Sequence, residues 1–97
     1  MFLSAYHFDG DPADLLPAYE RLNTLFGTAA FDFHACVVRD GGLTVIDGCP
    51  TRAIAEEFSD GPQFREALAA VGLPTPRKDR LGDVHAAFVS GQMLVTP

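Results

Sequence analysis

Asp40-Gly41-Gly42, set between the β-rich runs 31–39 and 43–47, is the feature that most narrows what this chain can become. Asp-Gly between two apolar runs supplies the positive backbone angles of a two-residue hairpin turn, and no short sequence signals a hairpin more strongly. A turn centred on Asp40-Gly41 pairs Arg39 with Gly42. Counting outward along that register, His34 falls opposite Asp47 on the same face. A one-residue change in the turn moves Asp47 to the other face.

The rest of the chain arranges itself around this hairpin. Residues 2–8 are rich in aromatic side chains and end at the turn residues Asp9-Gly10, which reads as a strand. Asp11 as N-cap, Pro12 at the first helical position and Asp14 in the first turn mark a helix start. Leu15, Tyr19, Leu22 and Phe26 recur at helical spacing, and Gly27 closes the segment. Pro17 removes a backbone hydrogen bond in the second turn, which predicts a kink or a late start there. After the hairpin, Cys49-Pro50 reads as a turn, and Thr51 caps a second helix running to about Phe58. Ser59-Asp60-Gly61-Pro62 interrupts it and starts a further segment with Phe64, Leu68 and Val71, ended by Gly72 and Pro74. Residues 73–82 read as a loop carrying Arg77, Lys78 and Arg80, residues 83–89 as the last strand, and residues 92–96 as a short terminal strand or an arm.

The order is thus βαββαβ in a single domain spanning residues 1–97. Right-handed crossovers make this an α+β, ferredoxin-like arrangement: a four-stranded antiparallel sheet, spatial order 4-1-3-2, with the helices on one face. One domain of 97 residues buries only about 60–65% of the surface of its unfolded chain, so an oligomer is expected. Thirteen acidic residues against seven basic leave a net charge of −6, which argues against general nucleic-acid binding. No apolar run approaches the roughly 18 residues of a membrane span, and the first residues have no basic segment typical of an export signal. Two cysteines make no disulfide framework. The expected setting is cytoplasmic, without membrane or nucleic-acid partners.

Alternation along the strands sorts their residues into two sets. Phe33, Ala35 and Val37, with Val84, Ala86 and Phe88, make a set suited to face the helices. Leu3, Ala5 and His7, then His34, Cys36 and Val38, then His85, Ala87 and Val89, make the other. That second face is also mostly apolar and no helix remains to cover it, so a second copy of the sheet is its simplest cover.

This organisation resembles the dimeric α/β-barrel superfamily, which includes the antibiotic-biosynthesis-monooxygenase-like small proteins. The residues carrying the resemblance are the βαββαβ order and the segment Phe58-Ser59-Asp60-Gly61-Pro62-Gln63-Phe64-Arg65, an aromatic residue and a short break followed by Pro-x-Phe-Arg. The resemblance implies a homodimer whose two sheets pair into a dimeric α/β barrel enclosing a small-molecule pocket. It leaves the reaction open. The chain has no Trp, so the Asn-Trp-His set of the haem-degrading members is absent.

All three histidines fall in expected strands. On the parity above, His7, His34 and His85 share one face at one end of the sheet, with Asp47 oriented toward His34. An imidazole with an unperturbed pKa of about 6.5 is a proton acceptor at neutral pH, so His7, His34 and His85 with Asp47 are the candidate catalytic residues. Leu3 and Cys36 are expected to line the pocket, with Arg77 and Arg80 overhanging it to draw in an anionic group. Tyr6 and Tyr19 fit a helix–sheet core, where each phenol needs a partner. Three histidines and a carboxylate match a zinc or non-haem iron set in type, but about 14 Å of sheet separates His85 from His34. A His7–His85 pair stays open as a metal site; no cofactor is called for.

Three functions fit these residues. The first is a cofactor-independent monooxygenase, isomerase or cyclase acting on a small apolar or aromatic compound. The alternatives are a non-catalytic dimer holding a small ligand, haem or a metal, and a dimeric interaction module with a filled interface.

Overall fold

A computed structural model describes residues 1–27 and 31–95. Strand β1 (Phe2–Asp9) leads into helix α1 (Pro12–Phe26), and β2 (Phe33–Arg39) and β3 (Gly42–Cys49) form the hairpin. Helices α2 (Arg52–Asp60) and α3 (Pro62–Val71) follow, then β4 (Arg77–Asp83) and a small hairpin of β5 (Ala87–Val89) and β6 (Gln92–Val95). The first four strands form one antiparallel sheet in the order β2-β3-β1-β4; β5 and β6 form a separate two-stranded sheet. This α+β architecture is compatible with a ferredoxin-like fold, and its strand order is the expected one. Among the described residues no helix is long and apolar enough to cross a membrane.

The local signals explain the boundaries. Asp11 accepts from the Ala13 N–H at 2.9 Å and caps α1. Pro17 lies inside α1, which continues through it. Thr51 Oγ1 accepts from the Ile54 N–H and caps α2, while Gly61-Pro62 ends one helix and starts the next with no loop between them. Gly72 closes α3 in the left-handed conformation, with φ of 87°. Gly41 turns the β2–β3 hairpin at φ of 80°, and the pairing of Arg39 with Gly42 carries through to His34 opposite Asp47, as the turn chemistry predicts.

The core lies between the sheet and the helices. Tyr6, Phe8, Leu43 and Val45 from the central strands pack against Leu15, Ala18, Tyr19 and Leu22 of α1 and Phe64, Leu68 and Val71 of α3. A smaller cluster joins Phe2 and Cys49 to Ala55 of α2. The even-numbered residues of β1 therefore face the helices, and Leu3, Ala5 and His7 point away from them, as expected.

Two expectations need correction. On β2 the parity is reversed: His34 and Cys36 face the helices, and Phe33, Ala35 and Val37 lie on the open face, paired through Gly48, Ile46 and Thr44 with Leu3, Ala5 and His7. Both sets are apolar enough to sit under a helix, and the register with β1 decides between them. The last strand of the sheet is also earlier in the chain than its apolar content suggests. It is the charged run Arg77–Asp83, not residues 83–89, and it pairs with β1 as an edge strand, where charged side chains are tolerated. Val84 to Ala86 then leave the sheet, and Phe88, Val89, Met93 and Leu94 are exposed on the β5–β6 arm. Thr96 lies outside the described residues.

Candidate functional site

The cross-strand register lines four polar residues up on the helix-facing side of the sheet. His34 on β2 stands opposite Asp47 on β3, Asp47 opposite Ser4 on β1, and Ser4 opposite Arg80 on β4. This rung crosses the whole sheet beneath the helices. Asp47 and Ser4 are 5% and 1% exposed. Burying such groups in an apolar layer is costly unless each finds a partner, and here each does.

His34 is bonded at both ring nitrogens. Nδ1 meets the Asp47 carboxylate, and Nε2 lies 2.5 Å from Tyr19 Oη on α1. A carboxylate oxygen only accepts, so Nδ1 carries the proton in the neutral ring. Nε2 then accepts from the Tyr19 hydroxyl. The result is a carboxylate–imidazole–phenol chain in which Asp47 fixes the tautomer of His34 and His34 is the proton acceptor for Tyr19. The Tyr19 and His34 rings lie 5.8 Å apart and within 6° of parallel, and Phe31 stacks on the other side of His34 at 5.5 Å. Burial raises the Tyr19 phenol above its ordinary value, so it holds its proton at neutral pH.

This chain borders a small cavity of about 30 Å³ between sheet and helices. Tyr6, Phe8, Val45 and Phe64 are among its buried walls, while Asn23, Phe26, Phe31 and Phe58 are half-buried and form its outer rim. Phe58 and Phe64 come from opposite sides of the Gly61 break, with their rings 5.0 Å apart. Cys36 lies on the same face one rung along and packs against this core; burial pushes its thiol, and that of Cys49, upward. Each is a neutral, unreactive group near pH 7.

His7 belongs elsewhere. It lies on the open face, with Nδ1 3.0 Å from Thr44 Oγ1 and Nε2 2.8 Å from Asp79 Oδ2. Beside it, Asp9 takes bonds from Arg39 and Arg77. These guanidinium groups hold the exposed Asp9 carboxyl below its usual value. His85 is exposed on the connection after β4, near the opposite end of β1. There it borders a shallow groove with Leu3 and Leu81. The expected gathering of His7, His34 and His85 at one end of one face is therefore overturned. β1 and β3 run antiparallel, so the start of β2 is level with the start of β1, and His34 is on the other face from His7. His7 and His85 are likewise apart, so they form no shared metal site. Among the described residues no group of three or more His, Cys, Asp or Glu side chains is placed to hold a metal ion.

The two arginines expected over one pocket are also separated. Arg77 is exposed on the open face, bound to Asp9. Arg80 lies under the helices, donating to Ser4 Oγ at 3.0 Å, Tyr6 Oη at 3.3 Å and Ser59 Oγ. Lys78, one rung along, donates to the Ser59 carbonyl at 2.7 Å and to Asp60 at 3.2 Å. These two cations serve the carboxyl end of α2, which has no basic residue of its own in its last turn. The expected His34–Asp47 pair is present, and Tyr19 is the member that sequence reasoning left in the core. Its need for a hydrogen-bond partner was the available signal.

Comparisons with family models, with curated proteins and with solved structures return no match to this chain.

Proposed function

We propose that this is a cytoplasmic, small-molecule-binding protein of the dimeric α/β-barrel type. It acts without a cofactor on a small apolar or aromatic compound by acid–base chemistry at His34. The observation that carries the reading is the Asp47–His34–Tyr19 chain beside an aromatic cavity. Packing alone gives no reason for a buried carboxylate and imidazole there, since apolar side chains would bury more area with nothing to satisfy. In this reading Tyr19 Oη is the group that exchanges a proton with the bound compound. His34 supplies or takes up that proton, and Asp47 stabilises the charged ring. The cavity has room for a water-sized group, so a larger compound enters by displacing the rim rings of Phe26, Phe31 and Phe58.

The dimer part of the proposal is supported by the open face. Leu3, Ala5, Phe33, Ala35, Val37 and Ile46 form its apolar part, with no helix over them. Its charged corner is balanced, with Arg39 and Arg77 against Asp9 and Asp79, so a second copy of this acidic chain meets no net repulsion there.

Phenol and toluene titrated against the isotopically labelled protein test the site. Both should shift the NMR resonances of Phe31, Phe58 and His34, and Tyr19→Phe should change the response to phenol more than the response to toluene. Shifts confined to the open face, or none at all, would overturn the assignment.

A further inference from the structure

We infer that Arg80 is a positioning residue for the Asp47–His34–Tyr19 chain, acting through Asp47 from the far side of the sheet. The inference rests on the reading of that chain as the working group. Arg80 is the only cation on the rung His34–Asp47–Ser4–Arg80 among the described residues. Its side chain is 14% exposed, and Ser4 Oγ holds its Nη1 beside the strand that separates it from β3. On that face the carboxylate of Asp47 stands between two basic groups, His34 on one side and Arg80 on the other. It is attracted to both. A fixed guanidinium satisfies part of the carboxylate's field, so less of it is available to stabilise a protonated His34. Arg80 thereby keeps the imidazole in the neutral form that accepts from Tyr19.

A latch holding the end of α2 to the sheet is the competing explanation, since Arg80 also donates to Ser59 and Asp60. Lys78 provides the comparison. It holds the same end of α2 but sits on the next rung, with Tyr6, Val45 and Cys36. The other titratable or charged groups around His34 are Tyr19 and Glu20 on α1, Cys36 on β2, Cys49 on β3, Asp32 before β2 and Asp60 at the end of α2. None of these is a cation.

The test is the NMR titration of the His34 ring in the full chain. Arg80→Gln keeps amide donors for Ser4 and Ser59 but removes the charge. Its His34 midpoint should move to higher pH by roughly 0.3–0.6 unit, the effect of one charge lost about 10–14 Å away at an effective dielectric constant of about 40–60. Arg80→Lys should restore the wild-type midpoint, and Lys78→Gln should loosen α2 while moving the midpoint by less than half as much. An unmoved midpoint in Arg80→Gln, or an equal shift in Lys78→Gln, would overturn the inference. If Arg80→Gln does not fold, Ser4→Ala frees the guanidinium from its anchor and should raise the midpoint in the same direction; no change there overturns it equally. A wild-type spectrum without a hydrogen-bonded Nδ1–H signal for His34 would instead remove the Asp47–His34 pair, and with it the proposed function.

Discussion

Tyr19 Oη and His34 Nε2 are 2.5 Å apart although the two residues belong to different layers, one on α1 and one on the edge strand β2. The bond ties the helix to the sheet at the cavity wall. Tyr19→Phe removes the donor and leaves Nε2 facing an aromatic ring. The expected loss is about 0.5–1.5 kcal/mol of stability, read from urea denaturation at pH 7. A variant as stable as the wild type would mean that water replaces the phenol at no cost.

Asp47 is the more sensitive end of the chain. Asp47→Ala removes the acceptor from His34 Nδ1 and opens space next to Ser4. It should cost roughly 1.5–3 kcal/mol, the range for hydrogen bonds to charged groups. Asp47→Asn, which retains an acceptor oxygen, should cost less. The two midpoints in the same denaturation series check the order.

The open face predicts the assembly state. Light scattering at micromolar concentration should give about twice the 10.4 kDa chain mass. Val37 lies on that face and is 46% exposed in the single chain, so Val37→Asp should leave the fold intact and separate the dimer. Val38→Asp, one residue along on the opposite face, is the control and should remain dimeric. A 10 kDa species from the wild type would remove the barrel reading.

The titrating groups set limits at both ends of the pH range. Hydrogen bonds from Lys78 hold Asp60 low, and those from Arg39 and Arg77 hold Asp9 low. A carboxyl depressed in the folded state contributes stability that is complete above its unfolded value of about 3.9 and is lost as pH falls through the folded value. Both are exposed, so the acid loss should be small and salt-sensitive. Cys36 and Cys49 are raised by burial, which has the opposite sign. Their contribution is complete below the unfolded thiol value of about 8.5 and disappears as pH rises through the folded values. Denaturation midpoints should therefore fall above about pH 9, and Cys36→Ala with Cys49→Ala should flatten that fall.

Much of the backbone was legible because its signals are local. Asp40-Gly41 set the hairpin and the His34–Asp47 pairing, and Thr51, Gly61-Pro62 and Gly72 bounded the last two helices. What escaped depends on contacts between distant strands. His34 and Phe33 belong to sets of similar apolar content, and only the pairing of β3 with β1 says which set lies under the helices. β4 was missed because Arg77, Lys78, Asp79 and Arg80 have low strand propensity, and its pairing with β1 outweighs that preference. The same misplacement sent His85 into the sheet and grouped it with His7.

Gly61 joins α2 to α3 without a loop, and this gives the cavity a mechanical property. Residues six apart in one continuous helix point in different directions, yet Phe58 and Phe64 on either side of the break both line the cavity. The angle between the two helices therefore sets the width of the opening. A Cβ at Gly61 would come within 3.0 Å of the Glu57 carbonyl oxygen, so any larger residue there pushes on the pivot itself. Rotation about one residue thus moves a wall of the chamber without disturbing the sheet that holds Asp47 and His34 in register.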